Sequence, residues 1–266
     1  MESKADLSIL CHNLQEQSAF TPEGLVAAVR ESRNLATASV PPLCVLDFDG
    51  DLTDWLIGRK LVEPYAAWAC FHTTMYLLES EGVSCGIVAR SIGGPYSVLI
   101  AEQLHVSGAR LILGLTSAGR VSPRLPLPSY VIPSCAVRDE GTSFHYLPPD
   151  ERVFAPTLLL NGLLEEEVSL LGITVAQGCV WTTDAPYRET KSQLARHSAD
   201  GVLAVDMQTA SLFAFATARH ANVGVVAHVT NAVDHPEEQF DKGTDEDGYA
   251  LLNAMLRAGR RFLSLP

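Results

Sequence analysis

The chain has 266 residues, with 19 Lys and Arg against 31 Asp and Glu, which gives a formal net charge of −12. Hydrophobic residues make up 47% and charged residues 19%, so the chain can bury a sizeable core and wholesale disorder is excluded. The acidic balance argues against nonspecific binding to nucleic acid or to an anionic membrane surface. We expect a partly helical N-terminal segment, 1–40, followed by one α/β domain, 41–266.

Cysteine and histidine usage narrows the class of protein further. None of the six cysteines has C-x-x-C spacing and several lie in apolar runs, which predicts reduced, mostly buried thiols rather than a disulfide or zinc framework. No H-x-x-x-H or H-E-x-x-H pair occurs, so we expect neither a metal site nor a cofactor. No apolar run reaches about 18 residues and the first residues lack a signal-peptide core, so we expect a soluble cytoplasmic protein without a membrane partner.

Along the chain, apolar runs of strand length alternate with segments of helical period. The predicted strands are 43–48, 83–89, 110–116, 129–137, 173–181, 202–206 and 223–230. The predicted helices begin at Thr21-Pro22-Glu23, run from Pro95 through Leu104, cover about 156–171 and 208–221, and begin again at about 244. This alternation favours a single α/β domain with a mostly parallel sheet and helices on both faces.

Unusual polar or small-residue segments follow several predicted strands. They are Asp47–Asp54, Ser117–Gly119, Arg138–Pro149, Thr182–Glu189 and the strand-to-helix junction Val205–Gln208. In α/β sheets, ligands bind where loops leave the carboxyl ends of the strands. We therefore expect these segments to converge on one rim and to form a binding site there.

Five motifs occur in an order that resembles the nucleoside phosphorylase-I family. They read Ser-Ile-Gly-Gly-Pro-Tyr with Ala-Glu-Gln-Leu (91–104), Leu-Thr-Ser-Ala-Gly (115–119), Ala-Val-Arg-Asp-Glu-Gly-Thr-Ser-Phe-His-Tyr-Leu-Pro-Pro (136–149), Thr-Thr-Asp-Ala-Pro-Tyr-Arg-Glu (182–189) and Val-Asp-Met-Gln (205–208). The family includes purine nucleoside phosphorylase, uridine phosphorylase and methylthioadenosine/S-adenosylhomocysteine nucleosidase. The resemblance covers about residues 43–240. It implies a mixed, partly barrel-like sheet, a homo-oligomer (dimer or hexamer) and cleavage of the N-glycosidic bond between ribose and a base.

The resemblance assigns the sugar to Met207 and the position after it. In the family, the Met packs under the ribose and the next residue is a Glu that accepts hydrogen bonds from its hydroxyls; here that residue is Gln208. A Gln can still bind hydroxyls, but it carries no charge to favour a cationic sugar. Either the chain is a Glu→Gln variant or its natural ligand differs from a plain nucleoside.

For the base, the resemblance indicates residues from three loops. Arg188 offers planar donors to a carbonyl edge, Phe144 and Tyr146 offer aromatic faces, and His145 lies between them in sequence. Asn231 stands where the purine-specific members have an Asp. The pattern leans towards a pyrimidine-like or otherwise carbonyl-rich ligand.

The residues at the expected phosphate site differ from the pattern of the phosphorolytic family members. Phosphorolytic members carry Gly-Asp-Pro-x-Arg after the first strand and a second Arg three residues before a Ser or Thr. Here these two arginines are replaced by Asp54 and Gly114, although Ser117 keeps the hydroxyl. Arg90 could compensate, as could Arg59 or Lys60, and in the family a further Arg reaches over from a neighbouring subunit.

Asp54, or failing that Asp51, falls near the position of the Glu that activates water in the nucleosidases. We therefore expect hydrolysis in preference to phosphorolysis, with Asp54 or Asp51 as general base and Gln208 at the sugar. Two alternatives remain: phosphorolysis by a remodelled phosphate site, and a repurposed scaffold that runs another reaction or only binds ligand. Asp47-Phe-Asp also resembles the start of haloacid-dehalogenase phosphatases, but no partner motif follows it.

Overall fold

The computed structural model describes residues 7–233 and 243–265, and within them the chain folds into helices and strands that alternate along most of its length. The α-helices are α1 (Pro22–Arg33), α2 (Asp51–Gly58), α3 (Gly94–Val106), α4 (Leu158–Ser169), α5 (Lys191–Ala199), α6 (Thr209–Arg219) and α7 (Asp245–Leu263). The strands are β1 (Leu43–Asp47), β2 (Val62–Pro64), β3 (Met75–Ser80), β4 (Val83–Ala89), β5 (Leu111–Arg120), β6 (Ser129–Asp139), β7 (Arg152–Phe154), β8 (Thr174–Thr183), β9 (Val202–Asp206) and β10 (Val223–Ala232). Short 3-10 helices occur at Ser8–Leu10, Thr142–His145 and Pro186–Arg188. No helix in the described ranges is both long and apolar enough to cross a membrane.

All ten of these strands belong to one mixed sheet. Its order is β10-β6-β8-β9-β5-β1-β4-β3-β2, with β7 beside β6. Because β10 also pairs with β5, the strands β5, β10, β6, β8 and β9 close into a ring, while β1 to β4 extend from it as an open sheet. The predicted single α/β domain with a mixed sheet and flanking helices is confirmed.

Two hydrophobic cores lie on opposite faces of the sheet. Successive side chains of a strand point to opposite faces, and in β1 Cys44 and Leu46 pack towards α3 and α6 whereas Leu43 and Val45 pack towards α4 and α7. All four side chains are fully buried, as expected for a central strand that helices cover on both sides.

The N-terminal segment is tied to the domain through α1. Thr21 caps this helix, its side chain accepting a hydrogen bond from the amide of Gly24 at 3.2 Å. Val26 and Val29 are buried against Ala69, and α1 contacts α3. The division at residue 40 stays a prediction.

Two of the predicted loops are partly regular structure. Ser117–Gly119 is not a turn, because β5 continues to Arg120 and pairs with β10 and β9 along this stretch. The acidic segment after β1 enters α2 at Asp51, so Asp54 lies in the first turn of a helix.

The expectation that all cysteines are reduced was wrong for one pair. Cys135 in β6 and Cys179 in β8 form a disulfide, with their Cα atoms 4.5 Å apart. The two residues are register partners in neighbouring parallel strands, although 44 positions separate them in the sequence. Cys spacing along the chain carries no information about such a pairing. Cys44, Cys70 and Cys85 are buried free thiols, as expected.

Candidate active site

A cavity of about 250 Å³, which we call the rim cavity, opens at the carboxyl ends of β1, β5, β9 and β10. Its walls include four residues that the sequence nominated from separate segments: Ser117, Met207, Gln208 and Asn231. The cavity lies just below the range of about 300–1,000 Å³ typical of sites for drug-sized ligands, so it suits a small molecule.

A second cavity of about 100 Å³ adjoins the first, and we call it the acidic cavity because Asp47, Asp49, Asp51 and Asp245 line it. Asp49, Thr116 and Ser117 border both cavities, so molecules bound in the two spaces would be neighbours. Among the residues that the structure describes, neither cavity has an Arg or Lys in its wall. The ionisable side chains in the described part of the acidic cavity wall are thus the four Asp residues and His228.

The amide of Gln208 is held at both ends. Its Oε1 accepts a hydrogen bond from the amide of Gly93 at 3.2 Å, and its Nε2 donates to Oγ1 of Thr116 at 2.6 Å. The Thr116 hydroxyl donates its own proton to the carbonyl oxygen of Ser117 at 2.7 Å, so its oxygen is free to accept. A Gln satisfies this arrangement, whereas a carboxylate would offer no proton to Thr116.

The turn that carries Met207 and Gln208 is fixed by Asp206. This buried carboxylate accepts from the hydroxyls of Thr182, at 2.7 Å, and Thr209, and from the amide of Thr209 at 3.4 Å. Burial raises the pKa of Asp206, and the hydroxyl donors counteract only part of that shift. Asp206 therefore acts as an anchor for the turn from β9 into α6.

Asp47 has a similar anchoring role at the end of β1. Its Oδ1 accepts from the amide of Gly50 at 3.1 Å, and its Oδ2 accepts from the amide and the hydroxyl of Thr53 at 2.9 and 2.6 Å. Desolvation raises the pKa of this buried carboxyl. With Asp47 committed to the start of α2, Asp49 and Asp51 are the more accessible acids of this turn.

Asp54 is paired with Arg90 outside both cavities. Nη1 of Arg90 donates to Oδ1 of Asp54 at 3.1 Å, and Nη2 donates to Oδ2. The Arg90 hydrogen bond lowers the pKa of Asp54. Two sequence candidates thus neutralise each other, and neither lines the rim cavity or the acidic cavity.

Residues 45–263 match the phosphorylase superfamily, which is most of the chain. The protein belongs to the nucleoside phosphorylase family. The resemblance seen in the sequence motifs is thereby confirmed. The chain is an enzyme of that family, and it has the family fold.

Sequence identity to individual relatives is low over the matched regions. The uridine phosphorylase of Haemophilus influenzae is 23% identical over 212 residues, which cover 74% of this chain and 84% of that protein. The protein named R802 of Acanthamoeba polyphaga mimivirus is 29% identical over 148 residues, covering 56% of this chain and only 57% of that protein. A crystal structure of uridine phosphorylase from Vibrio fischeri, complexed with 6-hydroxy-1-naphthoic acid, has a TM-score of 0.68 and 22% identity, covering 85% of this chain and 93% of that one. That likeness concerns the fold.

In this member of the nucleoside phosphorylase family, four sequence candidates lie away from the rim cavity. Arg188 is exposed on the 3-10 helix Pro186–Arg188 and does not line the cavity. Phe144 lies under Arg138, whose guanidinium carbon is 4.2 Å from the ring centroid. His145 packs against the ring of His12, with the centroids 4.1 Å apart.

Tyr146 is the fourth of these candidates and faces a separate cavity of about 540 Å³ between α3 and the N-terminal segment. Its hydroxyl donates to Oε1 of Glu102 at 3.0 Å, and the same oxygen accepts from Nε of Arg219 at 2.9 Å. Burial is the main cause that raises the pKa of Tyr146, and the neighbouring Glu102 adds to it. Tyr146 thus belongs to a partly buried polar network with Glu102 and Arg219 and does not line the rim cavity.

The cavity walls include two acids, Asp49 and Glu189, that received no role in the sequence analysis. Asp49 borders both cavities, and Glu189 lines the rim cavity beside Pro186. Burial raises the pKa of Glu189 to about 7. The sequence identified the acidic cluster after β1 and the Pro-Tyr-Arg-Glu segment as candidate site loops. Which acid of each loop lines a cavity is determined by the fold. No group of three or more potential metal ligands occurs within the described residues.

Proposed function

We propose that the protein hydrolyses the N-glycosidic bond of a nucleoside or nucleoside-like small molecule. The observation that carries this proposal is the composition of the acidic cavity: four Asp side chains line it, and no Arg or Lys does so among the described residues. Two like charges 4 Å apart repel by about 4 kcal/mol at the effective dielectric of a protein surface. Water is therefore favoured over a phosphate dianion as the acceptor.

The rim cavity supplies the substrate side of this proposal. Met207 offers an apolar surface for the sugar, while Gln208 and Asn231 offer amide groups that can bind hydroxyls or carbonyl oxygens. The carbonyl-rich base favoured by the sequence remains our preferred ligand class. Assembly as a homo-oligomer and a cytoplasmic location also remain predictions.

Asp49 is the preferred general base. A base that activates water must reach both the water and the anomeric carbon, and Asp49 borders the acidic cavity as well as the rim cavity. Asp51 lines the acidic cavity alone, and Asp54 is occupied by Arg90. The role that the sequence analysis gave to Asp54 or Asp51 is therefore better filled by Asp49.

Phosphorolysis is the second candidate, because relatives named uridine phosphorylase match this chain at 22–30% identity. Under that alternative, the hydroxyl of Ser117 would bind phosphate. Arg90 would have to leave Asp54 to provide a positive charge.

A product assay separates these possibilities. Purified protein is incubated with a panel of pyrimidine and purine nucleosides, with and without inorganic phosphate, and the sugar product is identified. We expect free sugar at a rate that does not depend on phosphate. Sugar 1-phosphate formed only when phosphate is present would establish phosphorolysis. Absence of cleavage across the whole panel would favour the repurposed scaffold.

Variants of the three acids test the assignment of the base. We expect Asp49→Asn to lower kcat by about 10²–10⁴-fold, the usual contribution of a general base, with little change in KM. Asp51→Asn and Asp54→Asn serve as matched controls with smaller effects. A kcat for Asp49→Asn within a few-fold of the wild-type value would contradict the assignment.

A further inference from the structure

Cleavage of an N-glycosidic bond leaves an electron pair on the departing base, and the rim cavity has no cationic side chain to stabilise it among the described residues. Arg188 points outwards, and Asn231 is a neutral amide with no proton to transfer. The other side chains of the wall that could hold a proton are carboxyls. Among the described residues of this wall, a carboxylic acid is the group best suited to give the departing base a proton.

Among the described residues, three with carboxyl groups line the rim cavity, and they differ in what they contact. Asp206 is fully buried and occupied by hydroxyl and amide donors. Asp49 lies on the side shared with the acidic cavity. Glu189 lies with Pro186 in the loop between β8 and α5.

The surroundings of Glu189 favour its neutral form. The side chain is half-buried, and its carboxyl has no hydrogen bond or ion pair with any other residue that the structure describes. Burial is the cause that raises its pKa to about 7. The charged groups that share its cavity, Asp49 and Asp206, are both acidic, and its sequence neighbours Arg188 and Lys191 have exposed side chains. A carboxyl with a pKa near neutrality is suited to general acid catalysis.

We propose that Glu189 is the general acid that protonates the leaving base. This inference rests on the proposed glycosidic cleavage and adds a residue to it. The C1′–N bond breaks and its electron pair passes into the base, which takes the proton of the Glu189 carboxyl at a ring nitrogen or carbonyl oxygen. The oxygen of water bonds to C1′ and its proton passes to Asp49. Exchange with solvent then returns Asp49 and Glu189 to their starting protonation states.

The positions of Asp49 and Glu189 decide which of them is assigned as the base and which as the acid. Asp49 borders the acidic cavity, the proposed site of the attacking water, whereas Glu189 is absent from that cavity and lines only the rim cavity. The same proton donor would serve phosphorolysis, because the leaving base is identical in both reactions. The role of Glu189 is thus separable from the identity of the acceptor.

The test compares Glu189→Gln with the wild-type protein on two leaving groups. The uracil anion is a poorer leaving group that gains from a proton, whereas 4-nitrophenyl riboside releases a stable phenolate. We expect Glu189→Gln to lower kcat on uridine by about 10²–10⁴-fold and on the aryl riboside by no more than a few-fold. Glu31→Gln, the same change at an exposed residue of α1, is the matched control and should leave both rates unchanged.

The pH profile gives an independent readout. Because the protonated carboxyl is the active form, wild-type kcat on uridine should fall as pH rises above about 7. Glu189→Gln should lack this descending limb, and thermal unfolding should show that the variant is folded. Equal losses on both substrates, or a descending limb that persists in a folded Glu189→Gln variant, would overturn the role of Glu189. Absence of cleavage of either substrate by the wild-type protein would instead overturn the proposed function itself.

Discussion

Two hydrogen bonds join the guanidinium of Arg90 to the carboxylate of Asp54, and this ion pair lies against Gly50. Gly50 lies beneath the pair, and a Cβ atom on it would come within 2.6 Å of Cγ of Arg90. The φ angle of Gly50 is +87°, a conformation that residues with side chains rarely adopt. The glycine therefore allows Arg90, from the β4–α3 loop, to reach Asp54 in the first turn of α2.

Asp54→Asn should release Arg90 and make cleavage more responsive to phosphate. A charge-assisted hydrogen bond contributes about 1.5–3 kcal/mol, so a freed guanidinium should raise phosphate affinity on the order of tenfold. Both side chains of the pair are more than half exposed, so the free energy of unfolding should change by less than about 1 kcal/mol. Measuring sugar and sugar 1-phosphate against phosphate concentration checks this. The double variant with Arg90→Met should cancel the gain, and an unchanged phosphate response in Asp54→Asn would refute it.

Gln208→Glu should destabilise the protein and should not by itself increase cleavage. The Thr116 hydroxyl donates a hydrogen bond to the carbonyl oxygen of Ser117. A carboxylate at position 208 would therefore face the Thr116 oxygen with no hydrogen between the two oxygen atoms. Loss of one buried hydrogen-bond partner costs about 1–3 kcal/mol. Urea unfolding at pH 7 gives the measurement.

A second substitution provides the control for this prediction. Thr116→Val removes the facing oxygen, so the double variant with Gln208→Glu should be less destabilised than the two single changes added together. Additive effects would argue against the network. A large gain of activity in the single Gln208→Glu variant would show that the carboxylate fits the site despite the contact.

Residues at strand ends were predictable because the sheet brings them together. Ser117 lies on β5, Met207 and Gln208 follow β9, and Asn231 lies near the end of β10, so these side chains meet at one rim once the strands are in register. Alternating apolar runs were sufficient to locate most of those strands. The family motifs then indicated four positions, Ser117, Met207, Gln208 and Asn231, that line the rim cavity.

Other placements depend on tertiary contacts that a linear sequence does not encode. The 136–149 segment contains suitable aromatic residues, but Phe144 packs under Arg138, Tyr146 donates to Glu102, and neither ring lines the rim cavity. Among the acids after β1, the start of α2 decides that Asp49 faces the cavities while Asp54 turns towards Arg90. The direction of a side chain in a loop or in the first turn of a helix depends on such contact partners. It cannot be predicted from the spacing of residues in the sequence.

Tyr146→Phe should reduce stability without weakening substrate binding. The hydroxyl donates to Glu102, which keeps its contact with Arg219 when the hydroxyl is removed, so the cost should be about 0.5–1.5 kcal/mol. Because Tyr146 does not line the rim cavity, KM for a cleaved nucleoside should stay within about twofold. Met207→Ala, which does alter the cavity wall, is the contrasting variant and should raise KM. An increase of KM in Tyr146→Phe would show that the hydroxyl of Tyr146 contributes to substrate binding.

Glu167→Gln should make the stability of the protein less dependent on acid pH. Glu167 on α4 accepts from Arg257 at 2.9 Å and from Arg261 at 2.8 Å, both on α7, and the Arg257 hydrogen bond is the largest cause that lowers its pKa. A carboxyl with a lowered pKa in the folded state stabilises the protein above its unfolded pKa of about 4.3, and this contribution is lost as pH falls through the folded value.

At pH 7 we expect Glu167→Gln to cost about 1–2 kcal/mol, since solvent screens the partly exposed arginines, and the difference from wild type should shrink as the pH falls below about 4. Glu166→Gln is the matched control on the same helix. Its carboxylate is 62% exposed and pairs with Arg261 alone, so its effect should stay below about 1 kcal/mol. Urea unfolding of the three proteins between pH 3 and pH 8 measures these differences. A Glu167→Gln deficit of the same size at every pH would mean that shape, and not charge, sets the contribution of Glu167.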